Sequence, residues 1–184
     1  MPVTSSTFSS LHNFSSMTSH PVTPAHGIRM IDVGSKPISS RSARASARLK
    51  CLPETIRRIR ANELEKGDAI ATARLAGIMA AKRTSDTVPL CHPLPLDSVE
   101  VSIAFTDPLC VSIEAVVRAT ARTGVEMEAL VAVTAAALAI YDMCKSIDQS
   151  LCIEAVQLEE KHGGTHGDYA RSASPFNSES TCVP

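Results

Sequence analysis

Asp142 and Lys145 stand three positions apart in a stretch, residues 125–147, where almost every other residue is apolar or small. On a helix, i and i+3 share a face, so the two side chains can meet as an ion pair. A carboxylate beside an ammonium on an apolar helix can tune both pKa values, which is how acid/base catalysts are made. Glu126 and Glu128 place two more carboxylates at the start of the same stretch. Glu128 falls about four turns before Asp142, at nearly the same angle around the axis. Such a helix is expected to be buried nearly all round, so its charges must be paired or must serve a function. The competing reading is a structural ion pair at a helix end.

Cations form a second group. Lys66, Arg74, Lys82 and Arg83 lie in or beside one segment, and Lys36 and Arg41 lie near another. A triphosphate needs several such groups to offset its charge. A solvated basic face is the plainer explanation of the spacing. There is no G-x-x-x-x-G-K-[ST] loop, and Gly163-Gly164-Thr165-His166-Gly167 resembles a phosphate loop only weakly. A phosphate site must therefore rely on side chains. Leu90-Cys91-His92-Pro93 forms a third group. Adjacent Cys and His suggest a nucleophile or metal ligand, although zinc ligands normally come in spaced pairs. A His that hydrogen-bonds a ligand is the better functional reading.

These groups need elements to position them. Residues 41–51 alternate weakly, as a strand does. Pro53 suits the first turn of a short helix over 54–60. Asp68 is placed to N-cap a second helix that runs to about Lys82, with Gly77 tolerable inside it if another backbone packs close by. Pro89, Pro93 and Pro95 exclude a helix in the next loop. Residues 99–105 and 110–120 read as a hairpin turning at Asp107-Pro108, with Val111, Ile113, Ala115 and Val117 on one face. The long helix over 125–147 follows, then a last strand over 152–158. This order predicts an α+β, ferredoxin-like fold: an antiparallel sheet with helices packed on one face.

The chain has 184 residues, 44% hydrophobic, and a formal net charge of −1, as a single soluble globular domain would. A near-neutral charge and 3% aromatic residues give no support to nucleic-acid binding. The long helix is too interrupted by charge to span a membrane. The six cysteines, with no C-x-x-C pair and no secretory segment before them, read as reduced thiols of an intracellular protein. Residues 1–28 carry no Lys, Arg, Asp or Glu and are rich in Ser and Thr. They read either as a disordered extension or as a transit peptide, with Met17 and Met30 as alternative starts. The compartment is then the mitochondrial matrix with a transit peptide and the cytoplasm without one. The working domain is taken as residues 29–171, and residues 172–184 as a disordered tail.

Several stretches, in order, closely resemble the cyclic pyranopterin monophosphate synthase family, MoaC. They are Met30-Ile31-Asp32-Val33, KGDAIATARLAGIMAAKRT from Lys66, PLCHPLPL from Pro89, RTGVEMEAL from Arg122, AIYDMCK from Ala139 and GG-x-x-GD from Gly163. The resemblance implies a ferredoxin-like lyase of molybdenum-cofactor (molybdopterin) biosynthesis. Its substrate would be 3′,8-cyclo-7,8-dihydro-GTP from a radical GTP cyclase, and its products cyclic pyranopterin monophosphate and pyrophosphate. It further implies a homohexamer of three dimers with active sites at dimer interfaces. Carried over by motif, Asp142, Lys145 and Lys66 are catalytic. Leu90, Cys91, His92, Met127 and Glu128 contact substrate, with Glu128 and His92 at the purine end. Lys36, Arg41, Arg74, Lys82 and Arg83 are candidates for the phosphates.

No tightly bound cofactor and no protein-held metal are expected, with Mg²⁺ allowed for only beside the substrate triphosphate. No nucleic-acid or membrane partner is expected. Gly34 stands where the family usually has Ser, and Thr165 where many members have Lys, which puts the glycine-rich loop's role in doubt. An interface cleft would give a small domain the walls to surround a triphosphate. Whether Lys66 and Asp142 would then come from one subunit or two is open in the sequence. The alternative from another class is a non-catalytic nucleotide-binding oligomeric module.

Overall fold

The structure, a computed structural model, describes residues 27–172 except His166, and of Thr106 the backbone only. The readings of residues 1–26, of the tail beyond 172 with Cys182, and of His166 lie outside the described residues. The elements run β1 (Ser39–Lys50), α1 (Pro53–Ala61), α2 (Ala69–Ala81), α3 (Thr84–Thr87), β2 (Ser98–Asp107), β3 (Cys110–Ala121), α4 (Glu126–Cys144), β4 (Cys152–His162) and β5 (Tyr169–Ala170). The strands form one sheet in the order β2-β3-β1-β4-β5. Every pairing is antiparallel. β3 thus lies between β1 and β2, the split βαβ arrangement of an α+β, ferredoxin-like fold. The hairpin, the N-cap at Asp68 and the order of elements follow the sequence reading. α3 and β5, four and two residues long, escape it.

Alternation sorts the sheet into two faces. Ala43, Ala45, Ala47 and Leu49 of β1 and Val111, Ile113, Ala115 and Val117 of β3 are buried under the helices. The opposite face is polar, where Arg44 reaches Glu114 and Glu160. The covering helices are built from small residues. Ala129, Ala132, Ala136 and Ala137 of α4 are fully buried, as is Ala73 of α2. Small side chains let α2 pack tightly along α4. A Cβ at Gly77 would lie 2.9 Å from the Ala132 carbonyl oxygen and 3.0 Å from Val101 Cγ2, so no larger residue fits without movement. This explains the glycine inside a helix, where it otherwise costs about 1 kcal/mol against alanine.

Contacts at the two ends make α2 and α4 antiparallel. Lys66, just before α2, meets Asp142 near the end of α4. Gly77, in the second half of α2, meets Ala132 in the first half of α4. α4 is long and apolar enough to cross a membrane, yet here it is the helix that covers the centre of the sheet.

Although its composition predicts burial nearly all round, α4 has an open side. Met127, Leu138 and Asp142 are exposed, with Leu75 and Met79 on α2. Apolar side chains on all sides of α4 record two surfaces, one against the sheet and α2 and one left open in the single chain.

Candidate active site

The Asp142–Lys145 pair is present, with Lys145 Nζ 2.7 Å from Asp142 Oδ1. Lys66 Nζ lies 2.6 Å from Asp142 Oδ2 and donates a second bond to the Asp142 carbonyl at 3.0 Å. Lys66 and Asp142 thus meet within one chain. Gly67, at φ 93°, turns the chain between Lys66 and the Asp68 cap. That left-handed conformation suits glycine.

All three side chains are about half exposed, so the pair is not the buried one the sequence suggested. Hydrogen bonds from Lys145 and then Lys66 pull the Asp142 carboxyl down to about 2. The same contact raises Lys145. The pairing therefore drives the two pKa values apart, away from neutral pH. A carboxylate at a helix C-terminus meets the negative end of the helix dipole, and the two ammonium groups offset that repulsion.

Glu128 occupies a different place. It is 2% exposed. Fourteen residues of helical rise separate it from Asp142 by roughly 20 Å, and the two do not meet. α4 is unbroken between them, so the angular match read from the sequence stands, and they differ in what surrounds them along the axis: Glu128 is buried and Asp142 is exposed. Cys91 Sγ lies 3.6 Å from Glu128 Oε1, and Oε2 has no hydrogen-bond partner among the described residues. Burial raises the Glu128 carboxyl above its ordinary value. Burial, then the charge of Glu128, pushes the Cys91 thiol up to about 11. At neutral pH that thiol is a protonated donor, which speaks against the nucleophile reading. His92, Lys82, Pro93 and Glu128 line one hollow beside the end of α2. Leu90 and Met127 are exposed nearby in sequence.

A second hollow lies at the start of α4 and gathers Lys36, Arg41, Arg122 and Lys161, with Thr123 and Gly124 just before the helix. Four cations against the single carboxylate of Glu126, with the positive end of a 19-residue helix, suit an anion. Arg41, a residue of β1 itself, is 7% exposed. One Nη of Arg41 donates to the Arg122 carbonyl at 3.4 Å, and its Nε lacks an acceptor among the described residues. Arg122 in turn donates to the Gly34 carbonyl. Gly34 donates to Asp32 Oδ1 at 2.8 Å, so the glycine found in place of serine sits in a tight local turn. Lys161 lies 3.4 Å from Glu126. Thr165 lines the hollow with Gly163 and Gly164.

The expected residues therefore fall into three places. Lys66, Asp142 and Lys145 share one end of α4. Glu128, His92 and Lys82 share a hollow near its other end, with Cys91 against Glu128. Lys36 and Arg41 share the anion-suited hollow beside that same end. Arg74, exposed on α2, and Arg83, the residue before α3, line neither hollow. Sequence reasoning missed Arg122, Lys161 and Glu126 as site residues. The signal for Lys161 was its place two residues before a Gly-Gly pair. Among the described residues no group of three or more His, Cys, Asp or Glu could hold a metal ion.

Residues 30–164 match the model of the MoaC family. The chain is 47% identical over 143 residues to a protein of Brevibacillus brevis named cyclic pyranopterin monophosphate synthase, covering 78% of this chain and 89% of that one. It is 51% identical over 152 residues to cyclic pyranopterin monophosphate synthase 1 of Mycobacterium bovis, covering 83% and 89%. It is 52% identical over 145 residues to the Streptomyces griseus protein of the first name, covering 79% and 81%.

Proposed function

The chain belongs to the MoaC family, and from that membership we propose that it is a cyclic pyranopterin monophosphate synthase of molybdenum-cofactor biosynthesis. The reaction makes a cyclic phosphate by attack of a substrate hydroxyl on the α-phosphate, and pyrophosphate leaves. It needs proton transfers at the guanine-derived ring and charge neutralisation at the phosphates. The observation that carries the reading is the Lys66–Asp142–Lys145 cluster, preformed on one chain.

In this mechanism Lys145 and Lys66 enter as proton donors and Asp142 as the carboxylate that aims them. Asp142 is ionised before substrate arrives, because two ammonium groups hold it so. When substrate claims one of the lysines, the carboxylate loses a partner and becomes more basic, and can then accept a proton. Lys36, Arg41, Arg122 and Lys161 take the phosphates. Glu128 and His92 take the purine end, where a buried carboxylate oxygen with no partner among the described residues suits an N–H edge. Leu90, Cys91 and Met127 contact the same end. Lys82 sits with that purine-end group, and Arg74 and Arg83 reach phosphate only from a second subunit. Mg²⁺ enters only as a companion of the substrate's phosphates.

One nucleotide cannot touch both ends of α4, which lie roughly 20 Å apart. The site is therefore completed by a second copy of the chain, in the hexamer of three dimers that the family resemblance implies. Exposed Leu75, Met79, Met127 and Leu138 support this, since they leave the outer side of the helices apolar. The test is turnover. Purified protein given 3′,8-cyclo-7,8-dihydro-GTP should release one pyrophosphate per cyclic phosphate formed, and Asp142→Asn should lower that rate at least about a hundredfold with the fold intact. Substrate bound but unchanged by the wild-type chain would favour the non-catalytic nucleotide-binding module.

A further inference from the structure

Between β4 and β5 the chain turns back through Gly163, Gly164 and Gly167, at φ 87°, 101° and 72°. Lys161 pairs with Tyr169 and Glu160 with Ala170, so the chain folds back on itself just after Gly163 and Gly164. Asp168 sits across that turn. Its Oδ1 accepts the Gly163 N–H at 2.9 Å, and its Oδ2 lies 3.0 Å from His162 Nδ1. The contact lowers Asp168 and raises His162, the mutual shift of an acid–imidazole pair. The turn it closes lies directly on Arg41. A Cβ at Gly164 would collide with Arg41 Nη1, and one at Gly163 with the Ser40 carbonyl. Arg41 owes its burial in part to this cover, since Gly163 and Gly164 form a wall of the hollow it lines.

We propose that Asp168 is a positioning residue: it clasps the glycine turn at Gly163, and Gly163 and Gly164 hold the Arg41 guanidinium toward the phosphate-binding hollow. The proposal rests on the phosphate reading given above. Asp168 touches neither substrate nor the reacting atoms, and acts through Gly163, Gly164 and Arg41.

The sign of one measurement separates this from a bystander role. A carboxylate near a basic hollow repels anions, so if Asp168 were only a nearby charge, removing it would tighten anion binding. If it is the clasp, removing it loosens the turn and weakens binding. The probe is inorganic pyrophosphate, titrated by calorimetry onto the full chain as assembled. Asp168→Ala should weaken its Kd about fivefold, the loss of a net hydrogen-bond contribution. Asp168→Asn, which keeps an acceptor for the Gly163 N–H, should weaken it less. In parallel, phenylglyoxal labelling of Arg41, read by peptide mass, should speed up several-fold in Asp168→Ala. Tighter or unchanged pyrophosphate binding in Asp168→Ala overturns the proposal, and so does unchanged labelling of Arg41. If the wild-type protein ignores pyrophosphate while Arg41 labelling still rises in the variant, the phosphate reading falls and the clasp is supported.

Discussion

Glu128→Gln should make the protein more stable while removing its activity. Glu128 is 2% exposed, one carboxylate oxygen meets only a thiol at 3.6 Å, and the other has no partner among the described residues. An unsatisfied buried polar group costs about 1–3 kcal/mol, more when charged. Glutamine keeps the shape and removes the charge, so the gain should be about 1–2 kcal/mol at neutral pH. For a domain of this size that raises the melting temperature by roughly 3–6 °C.

The pH dependence fixes the cause. The folded-state pKa of Glu128 is raised, chiefly by burial, so ionising it is harder in the fold than in the unfolded chain. The penalty is absent below the ordinary glutamate value, grows as pH rises from there through the raised folded value, and is complete above it. The variant's advantage should therefore grow as pH rises through the raised folded value and vanish in acid below the ordinary glutamate range. Thermal melts of both proteins across pH, with product formation measured alongside, test this. A variant no more stable than wild type at neutral pH, or an advantage independent of pH, would refute the account of Glu128 as a strained binding group.

Gly77→Ala should destabilise the fold by about 1–2 kcal/mol in urea unfolding, although alanine is the better helix former. The new methyl meets the Ala132 backbone oxygen at 2.9 Å, and a backbone of the core helix cannot step aside cheaply. A chain beginning at Met30 should match the full chain in turnover and heat stability, since residues 1–28 lack charge and apolar periodicity. Loss of assembly on that deletion would place the extension inside the working structure.

Much of this was legible in the residues. Alternation over β3 gave its buried face, because one side of an antiparallel strand meets the core and the other does not. Asp68 announced a cap, and the i, i+3 spacing of Asp142 and Lys145 announced their contact. What was hidden depended on tertiary register. Arg122 and Lys161 join Arg41 because β1 lies between β3 and β4, a relation across some 80 and 120 positions that no local pattern carries. β5 is two residues whose pairing exists only through the glycine turn before it. The burial of Asp142 was misjudged because Leu138 and Met127 face outward and look, in sequence, like core.

The central claim is that one turnover needs both ends of α4, supplied by two subunits. Mixing inactive Asp142→Asn chains with inactive Arg41→Ala chains tests it directly, once tagged-subunit pull-down confirms exchange. Across a two-fold interface, half of the interfaces in an equal mixture are hybrid, and each hybrid carries one intact site of two. Activity should return to about a quarter of the wild-type level. Lys66→Ala mixed with Asp142→Asn should stay inactive, because those residues meet within one chain. Silence from the first mixture despite exchange, or recovery in the second, would contradict the account.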